Sequence, residues 1–241
     1  KMPREPTYLV TCACKQFCAE LYGEPFGGTG CNCYCNDCVA ACCYVDEKAK
    51  KEGKKNISMR CADYTGAGAS VAGWLLGNFK IIKGKDKLQG FRMSPKSPLC
   101  RTYTSCCCTP IIYIGQKFGP RFRGFNRNCI TSAKDGMPYK PDVTPSVMGK
   151  FALAEAWEKA GAPKSNVLPV SFISRVLAVT FLPWLFPGSQ VVVEEEDKSV
   201  PGLFIDASKV TEIATADTYI KAGVKVPRAV QAAASAARKE N

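Results

Sequence analysis

Cys33-Tyr34-Cys35-Asn36-Asp37-Cys38 places three thiols in a C-x-C-x-x-C run. A turn of this spacing can aim its sulfurs at one ion about 2.3 Å away. Cys12-Ala13-Cys14 precedes it, and Cys106-Cys107-Cys108 follows it. Thiols this dense read as metal ligands, and zinc is the expected metal. Around them lie short candidate strands at Thr7–Cys12, Ser58–Ala62, Asn78–Ile82, Gly90–Met93, Arg101–Ser105 and Pro110–Ile114. Together these predict a mainly β domain closed by metal.

The chain has 15 cysteines, an odd number, and none after Cys129. An extracellular disulfide framework is the competing reading. At 241 residues, however, the chain can bury a core without staples. Cysteines adjacent or one apart also rarely bridge each other. The expectation is therefore an intracellular, reducing compartment. The first residue is Lys, which is compatible with a mature organellar form whose targeting peptide has been removed. No histidine occurs, so Ser-His and Cys-His mechanisms are excluded. The formal net charge is +12, and each zinc held by four thiolates would lower it by about 2. The remaining basic excess alone does not choose between an anionic substrate, an acidic partner and a membrane surface. Gly115–Asn128, with Arg121, Phe122, Arg123, Phe125 and Arg127, reads as a strand with one buried face rather than a base-stacking platform, so nucleic acid is not an expected partner.

Composition changes near residue 135. Residues 1–134 form the cysteine-rich domain, and residues 135–241 read as a helical C-terminal extension. Lys48–Lys55 reads as a solvated loop or frayed helix, and Asp135–Pro145 as a linker. Beyond the linker, helices are expected over Ser146–Gly161, Ser171–Leu182 and Asp206–Thr218, and from Pro227 to about Lys239, with a short strand at Val191–Val193. The apolar stretch 167–186 allows only about 13 helical residues between its prolines, or about 20 Å. That is too short to span a bilayer straight. It reads as a buried helix, with contact to a membrane as the sharper alternative. The C-terminal helices are the expected surface for protein partners in a larger complex.

With these spacings in view, residues 8–130 resemble the glutathione-dependent formaldehyde-activating enzyme family, which also includes centromere protein V. That family carries G-x-C-x-C-G, C-H-C-x-x-C, G-x-D-x-L and C-x-x-C-G-T segments. The counterparts here are Cys12-Ala13-Cys14, Cys33 to Cys38, Gly84-Lys85-Asp86-Lys87-Leu88 and Cys106-Cys107-Cys108-Thr109. Lys15 stands where the family has Gly, Tyr34 replaces the His of C-H-C, and Thr104 lies where the first cysteine of C-x-x-C is expected.

The resemblance implies a β-tent fold with one or two zinc ions. It assigns Cys12, Cys14 and Cys107, with Cys106 as fourth ligand, to a structural site; Cys108 and Cys18 are the substitutes for Cys106. It assigns Cys33, Cys35 and Cys38 to a catalytic three-thiolate zinc with an open position. A thiol entering that position loses its proton to the metal, so no histidine base is needed. Glutathione is the implied co-substrate and carbon–sulfur lyase chemistry the implied activity. Asp37 and Tyr34 read first as a turn former and a packed ring, with orientation of an adduct as the alternative. The competing expectation is a closed, inert site in which Cys31, Cys42 or Cys43 supplies a fourth thiol. The protein would then be a non-catalytic zinc module, acting as a structural subunit of a larger, organellar membrane complex.

Overall fold

A computed structural model describes residues 5–26, 30–64, 66–95, 97, 99–115, 122–141, 145–153, 158–159, 170–185, 210, 212–228, 230–231 and 235. The molecule is mainly β, as expected, and its β structure divides into two sheets. The small sheet contains β1 (Tyr8–Thr11), β2 (Cys18–Leu21), β5 (Phe79–Lys83) and β10 (Ile130–Ser132) in the order β10-β1-β2-β5. The large sheet contains β3 (Cys31–Cys33), β4 (Ala69–Leu75), β6 (Leu88–Arg92), β7 (Leu99–Thr104), β8 (Pro110–Gly115), β9 (Phe122–Asn126), β11 (Ser146–Val147) and β12 (Glu212–Ile213). Its order is β11-β3-β4-β9-β8-β7-β6-β12.

Strand alternation decides the layering. Side chains two apart share a face, and on one face of the large sheet these include Ala72, Trp74, Cys100, Ile112, Ile114 and Phe125. They pack with Val10, Ala19, Leu21 and Ile130 of the small sheet into one buried cluster. Trp74 and Phe125 meet edge to face at 6.0 Å. The opposite face of the large sheet carries Phe91 and Tyr103, which pack under helix α1 (Asn36–Lys51) and near Tyr219 of helix α3 (Ala216–Lys221). The order of layers is therefore small sheet, large sheet, helices.

Helix α1 corrects the reading of Lys48–Lys55 as loop or frayed helix. It runs 16 residues, and Lys48, Lys50 and Lys51 are its last turn, where cations suit the helix dipole. It buries Cys38, Ala41, Cys42, Val45 and Ala49, an i, i+3/i+4 stripe. Three of its positions are cysteines, two of them acting as small apolar residues. Reading Cys42 and Cys43 as candidate fourth ligands hid that stripe.

Other expected elements shift. The expected strand Ser58–Ala62 is a single bridge between Arg60 and Ala69. Asp46 explains this: it accepts from Asn56 and Ser58 and pairs with Arg60 at 2.5 Å, holding the segment as a loop against α1. Within the helix expected over Ser146–Gly161, β11 pairs parallel with β3 and a 3-10 turn follows at Gly149–Phe151; residues 158–159 are helical, and 154–157 and 160–161 lie outside the described residues. Tyr34 donates its N–H to Val147, and Asn32 donates to Pro145; an open sheet edge outcompeted the local helix signal. Within the helix expected over Asp206–Thr218, β12 pairs parallel with β6 and helix α3 begins only at Ala216; residues 206–209 and 211 lie outside the described residues. Glu212 accepts the hydroxyls of Tyr44 and Tyr103 and meets Lys48 at 3.2 Å. These partners lie more than 100 residues back in sequence. The segment 135–141 does not simply link elements: Pro138 bridges Thr131, and Tyr139 packs on Tyr8 and Trp74.

Helix α2 (Val170–Phe181) forms close to the expected Ser171–Leu182. Its described side chains are not buried as expected, since Val170 is 76% exposed and Phe181 70% exposed. No side chain of α2 joins a core cluster among the described residues. Among those residues no helix is long and apolar enough to cross a membrane. Helical residues at 228, 230–231 and 235 fall within the helix expected from Pro227. The strand expected at Val191–Val193 lies outside the described residues.

Candidate metal centres

Two thiol groups form, each at a junction of elements. Cys12 and Cys14 sit in the turn from β1 to β2, and Cys106 and Cys107 in the turn from β7 to β8. All four sulfurs lie within 4.8 Å of one another. Cys12 is 3.6 Å from Cys14 and 3.9 Å from Cys106, and Cys106 is 4.0 Å from Cys107. Four sulfurs at about 2.3 Å around a tetrahedral ion stand about 3.8 Å apart. A disulfide needs about 2.05 Å. The spacing therefore suits a shared soft metal, and all fifteen cysteines are free thiols. The group ties a hairpin of the small sheet to a hairpin of the large one, across 94 residues of chain. Cys108 turns away toward Glu52 at 3.5 Å, and Cys18 lies outside the group.

Local hydrogen bonds prepare Cys107 as a thiolate, whereas burial pushes Cys12 up and Cys106 up to about 12. Phe17 donates its N–H to Cys12 Sγ at 3.3 Å. Burial would push the Cys107 thiol up, but the hydroxyls of Thr104 and Thr109 and the backbone N–H groups of Cys14 and Thr109 outweigh it. The result is a Cys107 pKa lowered to about 6. Hydrogen bonds to the charged form produce this direction.

The turns need left-handed backbone at two non-glycine residues, Lys15 (φ 59°) and Cys108 (φ 54°). Lys15 is the position where the resembled motif has Gly. A non-glycine residue there strains the backbone by about 1–2 kcal/mol, partly offset by the greater unfolded-state freedom of Gly. Lys15→Gly is expected to raise stability by about 0.5–1 kcal/mol, read as a higher urea midpoint at unchanged slope. A lower midpoint would show that Lys15 makes a contact worth more than the strain.

The second group joins Cys33, at the end of β3, to Cys35 and Cys38 at the start of α1. Cys33 and Cys35 are 3.5 Å apart, and all three sulfurs lie within 4.8 Å of one another. No fourth Cys, Asp or Glu among the described residues joins them. Cys42, one of the candidates for closing the site, is pushed well up by burial. Cys31, another, rises to about 12, from burial first and then from Cys38. Cys38 goes the other way: Cys33 and Cys35 donate to it, and Arg101 adds to this, so it is held well below the usual thiol range despite burial. The N-terminus of α1, capped by Cys35, adds positive potential.

Tyr34 is fully buried. Its hydroxyl accepts from Cys61 at 3.2 Å, so it is a packed ring. Asp37 accepts the Tyr219 hydroxyl at 2.9 Å and is held by α3. Three residues of this site carried no sequence signal. Arg101 lies beneath Cys38, Tyr219 holds Asp37, and Gly68 packs directly on Cys33. The register of β7 brings Arg101 there, helix α3 brings Tyr219, and the segment just before β4 brings Gly68. A separate cleft of about 820 Å³, lined in part by Lys48, Lys51, Asp217 and Lys221, includes none of the grouped cysteines.

Donor chemistry tests the fit to a metal. Both groups are all-sulfur and built at tetrahedral spacing, which suits zinc better than a hard cation. No protein-family model matches the chain. No curated protein matches it either. Among solved structures, a crystal structure of a Rhodobacter sphaeroides protein is similar over 57% of this chain and 98% of its own, at 13% identity and a TM-score of 0.37. The conclusion at this level is a mainly β protein whose two cysteine groups could each hold a metal ion.

Proposed function

We propose that the chain is a zinc protein with one structural site, at Cys12, Cys14, Cys106 and Cys107, and one site open to an incoming thiol, at Cys33, Cys35 and Cys38. The observation that carries this reading is the three-thiol group without a fourth protein donor among the described residues. Bound there, zinc would lower the pKa of an entering thiol and make it nucleophilic without a histidine base. The resemblance of residues 8–130 to the formaldehyde-activating family suggests the reaction. The glutathione sulfur bonds to the formaldehyde carbon, the carbonyl electron pair moves to oxygen, and oxygen takes a proton to give S-hydroxymethylglutathione. The chain's own residues support this by orientation: Tyr219 fixes Asp37, and α1 fixes Cys35 and Cys38 at its positive end.

Zinc content and zinc-edge X-ray absorption, with and without glutathione, test the reading. Two ions per chain are expected, one of which gains a sulfur ligand when glutathione is added. Two closed four-sulfur sites indifferent to glutathione would overturn the open-site reading. They would favour the second reading, a non-catalytic zinc module in a larger assembly. The observation behind that alternative is the apolar stripe of Val170, Ile173, Leu177 and Phe181, continued by Trp184, all exposed. The spacing is that of one helix face.

A further inference from the structure

Arg101 is only 2% exposed. On β7 it stands between Phe91 of β6 and Tyr113 of β8, on the face that α1 covers. An uncompensated buried charge costs several kcal/mol, so its counter-charge must be identified. No carboxylate among the described residues pairs with it. Asp37 adds a favourable charge but makes no ion pair with it, and accepts from Tyr219. Arg60, by contrast, has Asp46 at 2.5 Å. Arg101 Nη2 lies 3.9 Å from Cys38 Sγ, and the guanidinium carbon lies 5.9 Å from the Tyr113 ring centre. Its Nε and Nη1 are buried without a hydrogen-bond partner. The group is aimed at Cys38 of the three-thiol group, its one hydrogen-bonding acceptor among the described residues.

Three thiolates around a divalent ion leave a net charge of about −1. One guanidinium cancels it. The four-thiol group is stabilised differently, by hydroxyls and backbone N–H groups at Cys12 and Cys107. We propose that Arg101 is the positioning residue of the three-thiol group: its buried guanidinium is the counter-charge that lets Cys33, Cys35 and Cys38 hold a divalent metal as thiolates. The inference rests on the metal-binding part of the proposed function, but not on its glutathione chemistry. In the metal-free group Arg101 faces Cys38 but keeps Nε and Nη1 unmatched, so the residue favours the loaded site, with its three thiolates, over the empty one. A residue that only packs would not have these opposite effects.

The test compares wild type, Arg101→Met and Arg101→Lys as full chains. Zinc-loaded protein is titrated with a competing chelator, and cobalt(II) substitution follows each site through its thiolate charge-transfer band. Urea unfolding is then measured on the one-metal forms, with the three-thiol group empty. In Arg101→Met the weaker-held ion is expected to lose affinity by about 10–100-fold, with the tighter ion unchanged. Its one-metal form is expected to be as stable as wild type or more so, because an apolar chain replaces a buried guanidinium whose Nε and Nη1 have no partner. Arg101→Lys keeps the charge and is expected to recover part of the affinity. Wild-type affinity for both ions in Arg101→Met overturns the inference. So does a fall in one-metal stability in both variants, which would make Arg101 a packing residue. A wild-type chain that takes up one ion only overturns the underlying metal reading and the inference with it.

Discussion

A Cys107→Ser variant is expected to bind one metal ion fewer per chain and to unfold about 10–20 °C below wild type. The effect is large because of where the group sits. Cys12 and Cys14 belong to the hairpin of the small sheet, Cys106 and Cys107 to that of the large sheet. Between them lies the main core, with Trp74, Phe125, Ile112 and Leu21. A structural zinc contributes about 10–16 kcal/mol in peptide models, against a net stability of about 5–15 kcal/mol for a whole domain. Losing one of four thiolates forfeits a large part of that contribution, here taken as about 5 kcal/mol. Cys107 is also the thiolate best prepared by hydrogen bonds, from Thr104 and Thr109. Cys18→Ser, which alters a β2 thiol outside the group, is the control and should shift the midpoint little. Thermal unfolding with metal analysis of both variants decides the matter. Full metal content and an unchanged midpoint in Cys107→Ser would remove the clasp between the sheets.

Gly68→Ala is the second large effect, and it should act on the other site. A Cβ at Gly68 would lie 2.5 Å from the Cys33 carbonyl oxygen and 2.8 Å from the Tyr34 ring. Both neighbours are fixed: Cys33 pairs with Ala69 in the sheet, and Tyr34 is buried and bonded to Val147. The added methyl must therefore move backbone, not a flexible side chain. Overpacking of this kind costs about 1–3 kcal/mol. The displacement falls on Cys33, so the three-thiol group should lose metal affinity at least about 10-fold while the four-thiol group keeps its ion. Chelator competition on the loaded protein reads both at once. Equal loss at the two groups would indicate general unfolding, and unchanged affinity would show that the β3 end tolerates the shift.

The metal reading was legible in the sequence because ligand spacing is local. C-x-C and C-x-x-C runs fix the reach of their sulfurs whatever the rest of the chain does. The strands at β1, β5, β6, β7 and β8 were legible for a similar reason: β-branched and aromatic runs bounded by turn residues favour extended chain locally. What misled was also local. Ser146–Gly161 and Asp206–Thr218 have helix-like caps and spacing, yet Ser146–Val147 and Glu212–Ile213 within them pair with sheet edges that were open to a new strand. Backbone pairing with β3 and β6 and the Glu212 contacts with Tyr44 and Tyr103 outweighed propensity there. Helix α1 was missed because Cys38, Cys42 and Cys43 look alike in sequence while doing different work.

The sequence by itself determined that this is a thiol-rich, mainly β chain without histidine, with two sets of cysteines at ligand spacing. Only tertiary structure decided that Cys106 joins Cys12, Cys14 and Cys107, and that Cys108 and Cys18 do not. It likewise decided that Cys31 and Cys42 stay out of the second group, and that Arg101 lies under Cys38 with two of its three guanidinium nitrogens unmatched. The physical reason is range. Ligand turns and strand propensities are set by neighbours a few residues away, whereas charge compensation and fourth-ligand choice depend on which strands lie side by side, as when Arg101 meets a helix 63 residues earlier in the chain.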